Sequence, residues 1–167
     1  GFLLETRKCQ GQGRDVWVKP GYNSRLDTIQ AIVGMEALKE LAWVTERRIA
    51  NARRYDDGLL RGVEEVTVPL RALNAHHVYH LYQVHVERRD ELLAYLQAHG
   101  VEAKIHYPTP LHLQPALAYL GYGRGDFPNA ERFCETHVSL PIHQYLTEEQ
   151  IDYTIQTIQD FYNSQPR

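Results

Sequence analysis

Three stretches of this 167-residue chain hold side chains whose type and spacing could do chemistry. The first is GYNSRLDTIQ, Gly21 to Gln30, where Asn23 and Arg25 flank Ser24, the expected cap of a helix. A helix N-terminus presents unpaired N–H groups and the positive end of the macrodipole, so it favours an anion. An amide adds donors and a guanidinium adds a planar, always-charged fork. Together they suit a phosphate. The structural alternative is an Asn–Ser turn beside a solvated arginine, because Asn and Ser favour helix starts in any case.

The second stretch is crowded with histidine: His76, His77, His80 and His85. A strand here would turn His80 and His85 to opposite faces, because side chains alternate. No cysteine or carboxylate completes a tetrahedral set, so no metal site is expected. The third is KIHYPTPLHLQP, with His106, Tyr107, His112 and Gln114 in and after a strand end held by Pro108 and Pro110. Loops after strand ends often carry ligand contacts, and neutral His and Tyr both donate and accept. The alternative is a rigid proline loop packed on the core. The chain shows no GxGxxG, P-loop, GxSxG, HExxH or DxD pattern. Its four lysines, Lys8, Lys19, Lys39 and Lys104, sit in no context that argues for a Schiff-base amine.

The elements that must position these groups follow from periodicity. Apolar residues recur at helical spacing from Leu26 through Ile29, Val33, Leu38, Ile49 and Ala52 to Tyr55, a helix of roughly 30 residues with nothing to break it before Gly58 and Gly62. A helix this long often bridges two domains or lies along a subunit interface. The pairs Arg47–Arg48 and Arg53–Arg54 stand among acidic residues and read as a solvated face. Beyond Gly62, short strands are expected at VEEVTVPL, VYHLYQVHVE, VEAKIHY and VSLPI. Helices are expected at RRDELLAYLQAHG, stopped by Gly100, at FPNAERFCETH with Pro128 in its first turn, and after Thr147, where Gln150 completes a capping box. Ile151, Ile155, Ile158 and Tyr162 are the expected buried stripe of the last helix. The loop between them has one helical turn near Ala116–Leu120. The class is α/β, a layer of helices on a short sheet.

Composition bounds the function. A formal charge of −3 without a basic block argues against nucleic acid or anionic membranes as partners. Two cysteines, Cys9 and Cys134, make no disulfide framework and fit a reducing cytoplasm. No apolar run approaches the roughly 20 residues of a membrane helix. Gly1 opens mid-element, as the tail of a larger protein would; a processed or tagged terminus is the alternative.

In order and spacing, GYNSRLDTIQAIVGMEAL, ERRIANARRYDDGL, the segment from HHVYHLYQVHVE to YPTPLHLQPA, LGYGRGDFPNAERFCETHVSLPIH and LTEEQIDYTIQTI resemble the C-terminal part of the DegT-type nucleotide-sugar aminotransferases. The resemblance implies a fold-type I pyridoxal-phosphate enzyme. Residues 1–60 would be the end of the large domain and the long connecting helix, and 61–167 a small α/β domain with a short, mainly antiparallel sheet. It implies a homodimer with composite active sites, moving an amino group from a donor such as glutamate to a nucleotide-linked keto-sugar, with polysaccharide biosynthesis and antibiotic-sugar pathways both open. By that resemblance Asn23 reaches the cofactor phosphate of the other subunit, and Arg25 serves the same anionic region or the substrate diphosphate. His80, His106, Tyr107 and His112 match substrate-side positions. The cofactor lysine belongs upstream, so no catalytic residue is expected here and the chain alone should not transaminate. The rival readings are a sugar dehydratase of the same family, with histidine replacing that lysine, and a non-catalytic binding or dimerisation module.

Overall fold

A computed structural model describes residues 26–72 and 74–164. Two units meet in sequence between Glu40 and Leu41. In the first, the described part is Leu26 and Asp27 followed by a helical stretch, and Leu26, Ile29, Ile32, Val33, Met35 and Leu38 are all exposed. That stretch begins α1, Thr28–Leu60, which continues into the second unit.

From Leu41 onward, α1 turns Asn51, Ala52, Tyr55 and Leu59 into a core. The helix runs through Gly58 rather than stopping there. A Cβ at Gly58 would lie 2.6 Å from Cδ1 of Ile155, so glycine marks a close approach to the last helix, not a break. The three strands are β1, Val66–Thr67, β2, Tyr82–Val86, and β3, His137–Leu140. They form one antiparallel sheet in the order β1-β2-β3, with Val66 opposite Val86 and Val84 opposite Val138. Alternation along β2 sends Tyr82, Val84 and Val86 into the core.

Helix α2, Arg89–Ala98, buries Leu92 and Leu96. It closes as the sequence predicts: Gly100 is left-handed (φ 76°), its N–H meets Gln97 O, and Val101 N–H returns to Leu96 O. Two short 3-10 turns, Leu111–Leu113 and Pro115–Leu120, stand where one helical turn was expected. Helix α3, Pro128–Thr136, starts on its proline. Helix α4, Glu148–Asn163, has the expected capping box between Thr147 and Gln150. Its buried stripe is Ile151, Ile155, Ile158 and Phe161; Tyr162 is half-buried and reaches Glu87 O with its hydroxyl.

Two strand expectations fail for local reasons. The stretch Val78–Leu81 is not strand. Tyr79 is left-handed (φ 49°), its N–H is taken by the His77 ring, and Arg48 draws off the carbonyls of Tyr79 and His80. VEAKIHY keeps only one bridge, Lys104 to Ser139. Ala103 N–H turns back to Val101 O, and Tyr107 is left-handed (φ 59°), so the ladder has no room on either side.

Candidate functional site

The bridge at Lys104 and the end of β3 wall one open cavity of about 750 Å³, lined by Arg48, His80, Lys104, His106, Ser139 and His143 among others. His106 is fixed twice. Its Nδ1 lies 2.8 Å from Ser139 Oγ, which also accepts Gln83 Nε2 at 3.3 Å. Its carbonyl lies 2.5 Å from Nε2 of the fully buried His137. His80 is exposed at the same cavity, and Arg48 holds its carbonyl. The Nε of Arg48 is buried without a hydrogen bond among the described residues. Lys104 pairs with Glu102 at 2.6 Å and holds that carboxyl below its ordinary range. These groups can bind and orient a polar or anionic ligand.

The left-handed turn at Tyr107 sends the next side chain elsewhere. A second open cavity, about 760 Å³, is largely aromatic and aliphatic, with Tyr107, Leu111, Tyr122, Phe127 and Phe133 in its wall and His112 among its few polar groups. His112 is buried against Phe127 (4.8 Å between ring centres), and its Nε2 lies 3.0 Å from Oε1 of Glu131. A non-glycine residue at positive φ costs energy and recurs at functional turns. The four substrate-side positions named from sequence therefore fall into two pairs: His80 with His106, and Tyr107 with His112. Asn23 and Arg25 lie outside the described residues.

Arg48, Ser139 and Glu131 were not singled out from the sequence. The arginine pairs of α1 are not a uniformly solvated face. Arg48 caps carbonyls, and Arg54 forks onto Asp152 at 2.6 and 2.7 Å. The signal available for Glu131 was its place on the first turn of α3, where a carboxylate can reach back to free N–H groups.

Among the described residues no group of three or more His, Cys, Asp or Glu is placed to hold a metal. No described helix is long and apolar enough to cross a membrane. Of the described lysines, Lys39 pairs with Glu36 and Lys104 with Glu102, and both are well exposed.

The sequence pattern of the DegT/DnrJ/EryC1/StrS aminotransferase family matches residues 4–159. The chain belongs to this family. Among curated relatives, it is 40% identical over 143 residues to the pleiotropic regulatory protein of Geobacillus stearothermophilus, covering 85% of this chain and 38% of that one. It is 39% identical over 141 residues to the dTDP-3-amino-3,4,6-trideoxy-alpha-D-glucose transaminase of Streptomyces venezuelae, covering 84% and 37%. The chain thus spans under two-fifths of the length of these relatives. Among solved structures it resembles S. venezuelae DesV (TM-score 0.82, 37% identity, 90% of this chain and 40% of that one). It also resembles Spr1654 of Streptococcus pneumoniae in a PLP form (TM-score 0.77, 27% identity, 88% and 38%). The fold is that of the C-terminal part of a fold-type I aminotransferase: a long helix and a small α/β layer with a short antiparallel sheet.

Proposed function

We propose that this chain serves a pyridoxal-phosphate-dependent aminotransferase that moves an amino group, with glutamate as donor, onto a nucleotide-linked keto-sugar. The likeness to a sugar transaminase over most of the chain carries the reading. The relatives' names speak for amino transfer and give the dehydratase alternative no support. Residues 1–60 form the end of the large domain and the connecting helix, and 61–167 the small domain. When bound, the cofactor supplies an electron sink that lets nitrogen leave one carbon and join another. The lysine that holds it lies in the upstream part of the enzyme.

In this reading the chain's own groups bind and orient. Asn23 donates to the cofactor phosphate of the neighbouring subunit of a homodimer, and Arg25 serves the same anionic region. His80 and His106, in the more polar of the two cavities, hold sugar hydroxyls or the diphosphate. Tyr107 and His112 meet the less polar part of the same substrate. A cytoplasmic setting accords with Cys134, a buried free thiol.

The test is amino transfer by the enzyme that contains this chain, read as 2-oxoglutarate formed from glutamate with a nucleotide-linked keto-sugar. Asn23→Ala is expected to weaken cofactor retention by about 1–3 kcal/mol, the worth of a hydrogen bond to a charged group. Mixing Asn23→Ala subunits with cofactor-lysine mutants should restore one working site per dimer. Unchanged retention, or no recovery on mixing, would remove the composite site.

A further inference from the structure

Glu131 is a carboxylate only 7% exposed on the first turn of α3. Its Oε1 accepts from Gly125 N–H at 2.8 Å and Phe127 N–H at 3.4 Å, and faces Nε2 of His112 at 3.0 Å. Its Oε2 accepts from Gly125 N–H at 3.1 Å. The Gly125 amide above all, then His112 and Phe127, hold the carboxyl below its ordinary range against the opposing effect of burial. It is therefore ionised, and an ionised carboxylate only accepts. The nitrogen facing it must carry the proton. A neutral imidazole has one N–H, so its other nitrogen, Nδ1, is left as a bare acceptor.

The same carboxylate shapes the cavity that His112 lines. It ties down the turn at Gly125 (φ 97°) and the backbone of Phe127, whose ring packs on both His112 and Tyr122. One buried charge thus sets a loop, an aromatic wall and a histidine together.

We propose that Glu131 is a positioning residue: it fixes His112 as the Nε2–H tautomer and leaves Nδ1 as an acceptor for a hydroxyl or N–H donor of the ligand in the aromatic cavity. The ligand class rests on the sugar-substrate reading. The tautomer does not.

The first measurement is the long-range proton–nitrogen spectrum of the 167-residue chain with labelled histidine, with His112 assigned through His112→Gln. The expected pattern, read at a pH high enough to leave the imidazole neutral, is a proton-bearing Nε2, a bare Nδ1 and an ionised Glu131 carboxyl carbon signal. A bare Nε2, or a protonated Glu131, overturns the proposal in the wild-type chain and needs no variant to fold. Glu131→Ala should then show averaged or reversed tautomers, and an unchanged wild-type pattern there also overturns it.

The second measurement is kinetic, in the enzyme containing this chain. Glu131→Ala should raise KM for the nucleotide sugar about three- to tenfold and lower kcat by less, the signature of lost substrate binding. An unchanged KM overturns the role toward the ligand while amino transfer stands. A wild-type enzyme with no transaminase activity would instead remove the function reading, and the tautomer spectrum would still decide the role of Glu131.

Discussion

Tyr55 and Tyr82 stack 4.9 Å apart in the core, yet their hydroxyls are treated differently. Tyr82 donates to Asp56 at 2.7 Å, and Arg71 stands 3.4 Å from the same oxygen. Among the described residues the Tyr55 hydroxyl, buried near Thr154, has no well-formed hydrogen bond. Tyr82→Phe should therefore cost about 1.5–3 kcal/mol, while Tyr55→Phe should be neutral or stabilising by up to about 1 kcal/mol. Urea unfolding of both variants checks the contrast, and equal losses would refute it. Burial also pushes the Tyr55 phenol up to about 12, and moves Tyr82 in the same direction. An unfolded tyrosine loses its proton near pH 10. Between those values the unfolded chain has released protons that the folded chain keeps, so stability must fall as pH rises. Tyr55 alone contributes about 3 kcal/mol of that fall between about pH 10 and about pH 12. Urea midpoints taken on either side of about pH 10 should drop for the wild type and drop less for Tyr55→Phe. None of this was legible in sequence, where both residues are simply apolar positions at the expected spacing.

The elements divide by whether their signals are local. The capping box at Thr147 and Gln150, the glycine closure of α2 and the proline start of α3 could all be read, because the groups concerned lie within a few residues of each other. Gly58 was misread because its partner, Ile155, is 97 positions away. Gly58→Ala gains about 1 kcal/mol of helix propensity and loses about 1–3 kcal/mol to overpacking, so a net loss of about 1 kcal/mol is expected. Thermal unfolding checks it, and a stabilised variant would show that Ile155 can turn aside freely. The strand expected at VEAKIHY failed similarly. Its residues suit a strand, but the backbone turn at Ala103 and the left-handed Tyr107 leave one bridge.

For the whole molecule, early α1 carries a run of exposed apolar side chains, Ile29, Ile32, Val33, Met35, Leu38 and Leu41. Exposed apolar side chains gathered on one helix segment are expected to form an interaction face. The isolated chain is expected to associate as its concentration rises, and Ile32→Glu with Leu38→Glu should reduce that association in sedimentation runs. A monomer at all concentrations would show that these side chains tolerate water. The candidate site shows the same divide between local and distant. His80, His106, Tyr107 and His112 were named from sequence, but their sorting into a more polar and an aromatic cavity was not.

By itself the sequence determined the α/β class, most helix ends and the family, since these rest on periodicity, caps and motif order within short windows. Tertiary structure decided which residues meet. Arg48 on the carbonyls of Tyr79 and His80, Ser139 on His106, and Glu131 on His112 each join positions 19 to 33 residues apart. Those contacts depend on where the chain turns, and the turns at Tyr79 and Tyr107 place ordinary residues in a left-handed backbone that no local preference predicts.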